Sequence, residues 1–392
     1  MTQPAPVLPG STIGVLGGGQ LGRMLALSAR RAGYRVHVLS DVAGSSGAQV
    51  ADHTVVARYD DAAAVAAFAA QVDVVTLEFE NISSPALAAA AHNAPVRPGV
   101  LALHVSQNRQ REKEFLKANG FQHAPFVTLR GPADERAVAM PAFPFVAKSA
   151  GFGYDGKGQV VARGPEDLAR VAALLESGPV VVEEFVELAA ELSVVGARSL
   201  AGAVALYQPL LNRHVGGILD TTVLSAAPNE PPMEGLAWPR LTAEALAATA
   251  ELLELLEVVG VACVEFFVTT AGALLVNEIA PRPHNSGHLT IEACLTSQFE
   301  QQWRAVCGLP LGSTRAHSSA AMTNLLGEMW LGGEPRWEKA LARPGASLHL
   351  YGKQGPRPGR KMGHVTAVGP TAAAAERTAL AARADLDDSD AV

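Results

Sequence analysis

Apolar and polar positions alternate in the first forty residues in a way that predicts a strand, a glycine turn, a helix and a second strand. The run TIGVLGGGQLGRMLALSARRAGYRVHVLSD occupies residues 12–41, and Val72–Leu77 is a third apolar stretch of the same kind. Strands that alternate with helices in this order are typical of a parallel sheet with helices on its faces. We therefore expect an α/β protein that opens with a doubly wound parallel sheet.

The glycine turn of this first unit favours a phosphate ligand. Gly17, Gly19 and Gly22 satisfy the spacing G-x-G-x-x-G, and Asp41 lies where an acid binds a ribose in dinucleotide-binding proteins. One hypothesis is therefore an NAD-dependent dehydrogenase. The same glycines also allow a tight turn and leave a helix N-terminus open to another phosphate, or have a structural role only.

Residues 144–161, PFVAKSAGFGYDGKGQVV, predict two short strands around a second glycine-rich turn. Lys148 ends the first strand, and the glycines of the turn lack Cβ atoms, so successive backbone N–H groups can wrap an anion such as a triphosphate. A Walker P-loop is excluded because Gly158 stands where a Ser or Thr would bind Mg²⁺. The segment predicts a loop that covers phosphates, and the alternative is a mobile surface hairpin without a ligand.

Acids also lie at the ends of several predicted strands. Glu78 and Glu80 follow the third strand, Glu183 and Glu184 close the apolar run Val180–Phe185, and Glu191 begins the strand after it. Acids at the carboxyl end of a parallel strand face the ligand crevice, whereas acids at a strand edge are often simply solvated. Both interpretations stay open for these residues.

Residues 261–288 carry the strongest chemical signal. A hairpin that pairs Val268 with Ala273 makes Glu265 and Glu278 diagonal neighbours on one face, about 7 Å apart. Two carboxylates at that distance repel each other by roughly 2 kcal/mol at an effective dielectric constant of about 20. Since Mg²⁺ between them would reverse this cost, we predict a metal site rather than a structural hairpin.

Hydrogen-bond donors and cations follow this hairpin. The donors Arg282, His284, Asn285 and His288 lie within seven positions and suit an oxyanion. The loop KQGPRPGRKMGH contains Lys353, Arg357, Arg360 and Lys361, and it predicts a phosphate site or, alternatively, a solvated basic turn. By contrast, residues 106–119 predict an exposed, charged helix in which Arg109 has no function by itself.

Length and charge limit the class of protein. The chain has 392 residues, more than the roughly 250–300 at which a single core stops growing, so several units are expected. The net charge of −7 gives no reason to expect nucleic acid as a partner.

The three cysteines lack C-x-x-C spacing, and no apolar run approaches the roughly 18 residues of a membrane span. We expect a cytoplasmic protein that binds no membrane.

Four motifs carry a resemblance to a known family. They are GGGQLGRM at 17–24, GYDGKGQ at 153–159, NEIAPRPHNSGH at 277–288 and RPGRKMGH at 357–364. With them the chain resembles the ATP-grasp superfamily and, within it, the N5-carboxyaminoimidazole ribonucleotide synthetases of purine biosynthesis. The resemblance implies a Rossmann-like pre-ATP-grasp domain at 1–106, a lid subdomain at 107–186, a catalytic α+β subdomain at 187–310 and a small β-rich C-terminal domain at 311–392.

The resemblance also implies ligands and a reaction. ATP and Mg²⁺ are the expected cofactors, and aminoimidazole ribonucleotide and bicarbonate are the expected substrates of an ATP-driven carboxylation through carboxyphosphate. A cytoplasmic homodimer is the expected form. The rival hypotheses are a formate-using ATP-grasp relative that acts on glycinamide ribonucleotide and, from another class, the NAD-dependent dehydrogenase.

The site residues that the resemblance implies fall into four groups. ATP contacts are expected at Arg109, Lys148, Gly153, Tyr154, Asp155, Gly156, Lys157, Gly158, Glu183, Glu184, Phe185, Val186, Glu191, His214, Asn277 and Glu278. Mg²⁺ is expected on Glu265 and Glu278, and catalytic roles are expected for Arg282, His284, Asn285 and Lys353. The ribonucleotide is expected to contact Gly19, Gln20, Leu21, Glu78, Tyr154, Asp155, Lys353 and Arg360.

Overall fold

The computed structural model describes residues 4–131, 140–151, 158–227 and 231–386. Its strands form three sheets, and each sheet corresponds to a separate part of the chain. The predicted ATP contacts Gly153, Tyr154, Asp155, Gly156 and Lys157 lie outside the described residues.

The first sheet is parallel and has the strand order β3-β2-β1-β4. Its elements are β1 Thr12–Leu16, α1 Gln20–Arg31, β2 Arg35–Ser40, β3 His53–Val56, α2 Ala62–Ala69, β4 Val74–Leu77 and α3 Ser84–Ala91. The sheet and α1 bury an aliphatic core that includes Ile13, Val15 and Leu25. The predicted opening of strand, helix and parallel strand is confirmed.

Two helices connect this unit to the second sheet, and here one prediction was wrong. α4 spans Val100–Ser106 and α5 spans Arg109–Ala118, with the Asn108 side chain accepting a hydrogen bond from the Arg111 N–H at the start of α5. The exposed helix expected over residues 106–119 is therefore interrupted, and Glu112 and Lys113 are buried. The charges alone predicted that these two side chains are exposed to solvent, but residues distant in the sequence cover them.

The second sheet is antiparallel, with the order β5-β8-β6-β7. Its elements are β5 Phe126–Leu129, β6 Phe145–Ser149, β7 Gln159–Ala162, α6 Leu168–Leu175 and β8 Val180–Glu184. β6 and β7 pair with Lys148 opposite Gln159, so the predicted hairpin around the glycine turn is confirmed. Gly158 ends the turn with φ +71°, a conformation that favours glycine.

The third sheet has nine strands in the order β14-β13-β9-β11-β12-β15-β17-β16, and β10 pairs with β9. Its elements are β9 Leu188–Arg198, β10 Val204–Leu206, β11 Leu210–Val215, β12 Ile218–Leu224, α7 Trp238–Leu255, β13 Gly260–Thr269, β14 Leu274–Ala280, α8 Thr290–Ala293, α9 Gln298–Val306, β15 Ser319–Leu326, α10 Trp337–Leu341, β16 Ala346–Leu350, β17 Lys361–Gly369 and α11 Ala372–Ala384. β12 pairs with β15, so the sheet continues across residues 310 and 311. The division into four units stays a prediction.

Helix α9 lies between the first and third sheets and holds them together. One face packs Phe299, Trp303 and Val306 into the core of the first unit. The amide of Gln302 joins the two sheets, because its Nε2 donates to Thr76 Oγ1 on β4 at 2.8 Å and its Oε1 accepts from the Val261 N–H on β13 at 2.5 Å. The position of the first unit against the third sheet thus depends on buried polar contacts as well as on apolar packing.

Among the described residues, no helix has both the length and the apolar composition needed to cross a membrane.

We predict that Gln302→Ala destabilises the protein by about 2–4 kcal/mol, because it leaves the Val261 N–H and the Thr76 hydroxyl buried without their partners. Denaturant unfolding measures the change. Gln71→Ala is the matched control, since Gln71 is exposed just after α2 and its amide donates to Ala67 O of that helix. Equal stability of the two variants would show that the amide of Gln302 does not hold the sheets together.

Candidate functional site

Two of the predicted site residues, Arg109 and Glu278, line a cleft between the three sheets, and others lie on the strands beside it. The second sheet supplies Lys148 at the end of β6 and Glu183 on β8, and the third sheet supplies Glu191, Glu265 and Glu278. The cleft is lined in part by Glu80, Asn81, Ser106, Gln107, Arg109, Glu112, Ala150 and Glu278. Glu191 and His214 line a second cleft, on the third sheet.

Two lysines share one buried carboxylate on the second sheet. Glu183 Oε2 lies 3.0 Å from Lys148 Nζ and 3.6 Å from Lys113 Nζ. Burial by itself would raise the pKa of Glu183, but Lys148 and Lys113 outweigh it, and the pKa lies below its ordinary value. Lys113 also donates to the backbone oxygen of Asn277 at 3.1 Å. The excess positive charge of this group suits an anionic ligand.

The residues that follow Glu183 are more exposed to solvent than Glu183 is. Glu184 and Phe185 are exposed at the end of the strand, and Val186 is half-buried.

Glu191 Oε2 lies 2.9 Å from His214 Nδ1 across β9 and β11. Burial lowers the pKa of His214, but Glu191 reverses the effect and raises it overall.

Glu265 and Glu278 lie directly opposite each other on β13 and β14, which corrects the predicted register. The hairpin pairs Val268 with Leu274, not with Ala273, and a β-bulge after Glu265 shifts the pairing once more. The two acids are therefore closer than the diagonal arrangement that we predicted. Burial raises the pKa of Glu265 to about 7, and the charge of Glu278 adds to the effect.

Helix α5 places one cation and one further acid next to Glu278. Arg109 Nη1 lies 3.1 Å from Glu278 Oε2. Glu112 accepts a hydrogen bond from the Ile279 N–H at 2.6 Å, and burial together with Glu278 raises its pKa to about 8. Sequence reasoning assigned no role to Glu112 or Lys113, because nothing in a run of charges shows which side chains will be buried.

Arg282 is oriented by an acid from the first unit. Its Nε and Nη2 both donate to the carboxylate of Glu80, which follows β4. Gln107 Nε2 donates to the backbone oxygens of Glu80 and Ile82 at 2.7 and 2.8 Å and so supports the same loop. The sequence showed an acid at this strand end, but not its partner 202 positions away.

His284 lies 3.2 Å from Glu265, measured from its Nε2 to Oε1. Burial, followed by the charges of Arg282 and Lys361, holds the pKa of His284 well below its ordinary value. Gln298 is fully buried and holds the loop in place, since its Oε1 accepts from the His284 N–H at 2.8 Å and its Nε2 donates to His284 O at 2.7 Å. The ring is thus fixed close to the acid pair.

Asn285 and His288, the other two donors predicted in this loop, contact side chains of the protein itself. Asn285 exchanges side-chain hydrogen bonds with Asn324 on β15, at 3.1 and 2.7 Å. His288 is fully buried, and its Nδ1 lies 3.1 Å from Gln298 Nε2. Asn285 therefore holds the loop against the third sheet, and His288 holds it against α9.

The glycine turn of the first unit binds a carboxylate of the protein itself. Glu78 accepts from the N–H groups of Gly19 and Gly22 at the start of α1. A Cβ at Gly19 would collide with Glu78 Oε1, so glycine permits this close approach. Gln20 begins α1, and Leu21 points into the core, which leaves its backbone as the part that can contact a ligand.

The basic loop places two predicted residues on the side of β17. Lys353 Nζ donates to Lys361 O at 2.8 Å and lies 5.4 Å from the centre of the Tyr351 ring. Arg360 Nη1 donates to the backbone oxygens of Gln354 and Gly355. These contacts order the loop around its cations.

Comparison with known proteins agrees with this arrangement. Family models match for a ribonucleotide synthetase preATP-grasp domain at residues 10–107, an ATP-grasp domain at 114–299 and a phosphoribosylaminoimidazole carboxylase C-terminal domain at 320–378. The chain is 44% identical to the N5-carboxyaminoimidazole ribonucleotide synthase of Brucella melitensis over 92% of its own length and 97% of that protein. The chain belongs to the N5-carboxyaminoimidazole ribonucleotide synthase family.

Two solved structures of this family are similar in fold. N5-carboxyaminoimidazole synthetase from Staphylococcus aureus, complexed with ADP, has a TM-score of 0.88 and 34% identity, with 97% of this chain and 99% of that chain covered. The enzyme from Aspergillus clavatus, in complex with ADP and 5-aminoimidazole ribonucleotide, has a TM-score of 0.85 and 30% identity, with coverages of 96% and 98%. The expected ATP-grasp fold and family resemblance are confirmed.

Membership of the synthase family also decides between the rival hypotheses. The chain is an ATP-grasp ligase, so the NAD-dependent dehydrogenase suggested by Gly17, Gly19 and Gly22 is set aside. The formate-using relative is set aside because the matching relatives carry the name of the carboxylating synthase over nearly their whole length. In this synthase, the start of α1 is already bonded to Glu78.

We predict that Glu265→Gln stabilises the metal-free synthase, and that the gain grows from pH 5 to pH 8. The folded-state pKa of Glu265, about 7, lies above the unfolded value of about 4.5. Between these values the unfolded chain releases a proton that the folded protein retains, so wild-type stability falls as pH rises through this window. The glutamine does not titrate.

Thermal unfolding in the presence of a chelator, at several pH values, measures the difference. Glu244→Gln is the control, because Glu244 is an exposed acid that pairs with Arg240 on α7. A stability difference between Glu265→Gln and wild type that stays constant with pH would contradict the prediction.

Proposed function

We propose that this protein carboxylates 5-aminoimidazole ribonucleotide with bicarbonate, at the expense of ATP and with Mg²⁺, to give N5-carboxyaminoimidazole ribonucleotide, ADP and phosphate. The observation that carries this proposal is the opposed pair Glu265 and Glu278 beside the lysine pair of the second sheet, in a chain of this family. An acid pair next to a cationic group suits a metal–triphosphate complex.

The donor set fits Mg²⁺. Glu265 and Glu278 face each other, and burial, followed by the charge of Glu278, raises the pKa of Glu265. Among the described residues, no group of three or more His, Cys, Asp or Glu side chains is arranged to hold a metal by itself. This is the usual situation for Mg²⁺, which binds one or two carboxylates and completes its shell with phosphate oxygens and water. When bound, the ion neutralises phosphate charge.

The lysine group is the proposed phosphate contact. Lys148 is held by Glu183, and Lys113 adds a second positive charge behind it. Arg109 and Asn277 are further proposed ATP contacts, and so are the predicted loop residues 153–158, of which only Gly158 lies within the described residues. The pair Glu191 and His214 lies on the third sheet as a further proposed ATP contact, and so does the β8 end at Glu184, Phe185 and Val186.

Bicarbonate and carboxyphosphate are proposed to lie beside Arg282 and His284. Glu80 binds the Nε and Nη2 edge of the Arg282 guanidinium and so determines its orientation. Asn285 contributes by holding the loop through Asn324. A fixed cation of this kind stabilises charge without reorganisation during the reaction.

The ribonucleotide is proposed to lie between the first unit and the basic loop. Gly19, Gln20 and Leu21 present backbone groups there, Glu78 lies at the strand end, and Lys353 and Arg360 supply the positive charge for its phosphate. Tyr154 and Asp155 are proposed contacts from outside the described residues. Lys353 would in addition stabilise charge during carboxyl transfer.

The reaction balances in two steps. An oxygen of bicarbonate attacks the γ-phosphorus of ATP, the bond to the β-phosphate oxygen breaks, and ADP leaves with carboxyphosphate formed. The exocyclic amine of the ribonucleotide then takes the carboxyl carbon, either from carboxyphosphate or from the CO₂ that it releases, with loss of phosphate and one proton. Positioning and charge neutralisation provide most of the catalysis in such transfers. We infer in addition a cytoplasmic homodimer, as the family resemblance suggests.

We predict that ADP formation requires ATP, Mg²⁺, bicarbonate and 5-aminoimidazole ribonucleotide together, and that Glu278→Gln lowers it by roughly a hundredfold or more. A coupled assay with each component omitted in turn measures this. Glu300→Gln is the matched control, since Glu300 forms only a local pair with Arg304 on α9. Wild-type turnover in Glu278→Gln would exclude the metal role, and ADP formation without bicarbonate would exclude the carboxylation.

We predict that Arg360→Ala raises the KM for the ribonucleotide roughly tenfold to a few hundredfold, because a charge-assisted pair with phosphate contributes about 1.5–3 kcal/mol. ATP affinity, measured by calorimetry without ribonucleotide, should stay near the wild-type value. Arg315→Ala, at an exposed arginine outside the basic loop, is the control. An equal loss of ATP affinity would instead place Arg360 in the nucleotide pocket.

A further inference from the structure

A chain of buried hydrogen bonds runs from the third sheet to the ring of His284. Thr222 Oγ1 donates to Asn212 Oδ1 at 3.0 Å, and Asn212 Nδ2 donates to Ser193 Oγ at 2.9 Å. Ser193 Oγ donates to Ser286 Oγ at 2.8 Å, and Ser286 Oγ lies 2.9 Å from His284 Nδ1. Ser193 and Ser286 are fully buried, and Asn212 is nearly so.

The direction of this chain is decided at both ends. At the sheet end, Ser193 Oγ receives the amide hydrogen of Asn212, so its own hydrogen goes to Ser286. Ser286 then has its hydrogen left for His284 Nδ1. At the ring end, the backbone N–H of Ser286 also points to Nδ1, at 3.3 Å. A backbone N–H can only donate, so Nδ1 is an acceptor and carries no proton.

We infer that Asn212, Ser193 and Ser286 are positioning residues that hold neutral His284 in the Nε2–H tautomer. The single N–H of the ring then lies on the side of Glu265, whose Oε1 is 3.2 Å from Nε2. Nε2 is thereby a donor and not a proton acceptor. In the ligand-free protein this N–H faces Glu265, and an oxygen of bicarbonate or carboxyphosphate takes the place of that acceptor. His284 therefore recognises the oxygen by hydrogen bonding and does not act as the general base that removes a proton from the amine.

This role rests on the proposed function, but the tautomer can be measured without it. In protein labelled with ¹⁵N in the histidine rings and free of substrates, His284 should show a pyridine-like Nδ1 and a pyrrole-like Nε2. The variant His284→Gln assigns these resonances by their loss. A wild-type ring with the proton on Nδ1 would overturn the inference directly.

Asn212→Asp tests the relay at nearly constant volume. At pH 8 a carboxylate can only accept, so Ser193 would donate to the new carboxylate, Ser286 would donate to Ser193, and the hydroxyl hydrogen at Nδ1 would be lost. Nδ1 then accepts only from the backbone N–H of Ser286, so the ring keeps its Nε2–H while the Nδ1 resonance moves away from its wild-type position. Asn119→Asp, at an exposed helix end, is the matched control and should leave the ring as in wild type. An Nδ1 resonance in Asn212→Asp that is unchanged from wild type would overturn the relay.

Kinetics give a second, separate readout. Ser193 is not proposed to contact a substrate. Ser193→Ala should nevertheless lower kcat/KM for bicarbonate roughly two- to tenfold, which is the effect of one neutral hydrogen bond. The KM for ATP should stay unchanged. Ser199→Ala is the control, because Ser199 is also buried but bonds only within a turn. Equal kinetics in the two variants would count against the relay. Absence of bicarbonate-dependent turnover in wild type, with the Nε2–H tautomer observed, would refute the proposed function alone.

Discussion

The central constraint on this structure is the placement of two carboxylates directly opposite each other on neighbouring strands. Burial raises the pKa of Glu265, and the charge of Glu278 opposite it adds to the effect. A like-charged pair of this kind persists because the nine-stranded sheet determines the backbone on both sides. The fold itself therefore brings together the two carboxylates of the proposed metal site.

The same logic governs the cations of the cleft. Lys148 is paired with Glu183 and Arg282 with Glu80, so each cation is oriented by an acid behind it. Buried ions require such partners, because an isolated charge in a medium of low dielectric constant is strongly unfavourable. Glu183 carries two lysines, however, and this group keeps a positive excess. The fold thus places this cationic group on the second sheet and the acid pair on the neighbouring third sheet.

The geometry of the cleft also depends on how the first unit is held against the third sheet. Glu80 reaches Arg282 from the first unit, and Gln302 bonds to both sheets at once. Gln298, one turn earlier on α9, holds the backbone of His284. Helix α9 therefore both holds the first unit against the third sheet and positions the loop that carries His284. None of its side chains is proposed to touch a substrate.

The sequence by itself determined the local elements and the chemical types of the site. Periodicity was enough for the parallel opening and for the hairpin of β6 and β7, because both depend on contacts near in sequence. Motifs were enough for the family, and they nominated Lys148, Glu265 and Glu278. Only the tertiary structure decided which charges are buried, as Glu112 and Lys113 show, and which donors are already bonded, as Asn285 shows. It also decided the register of Glu265 against Glu278, since a single bulge residue moves every later pair and leaves no mark in the apolar pattern.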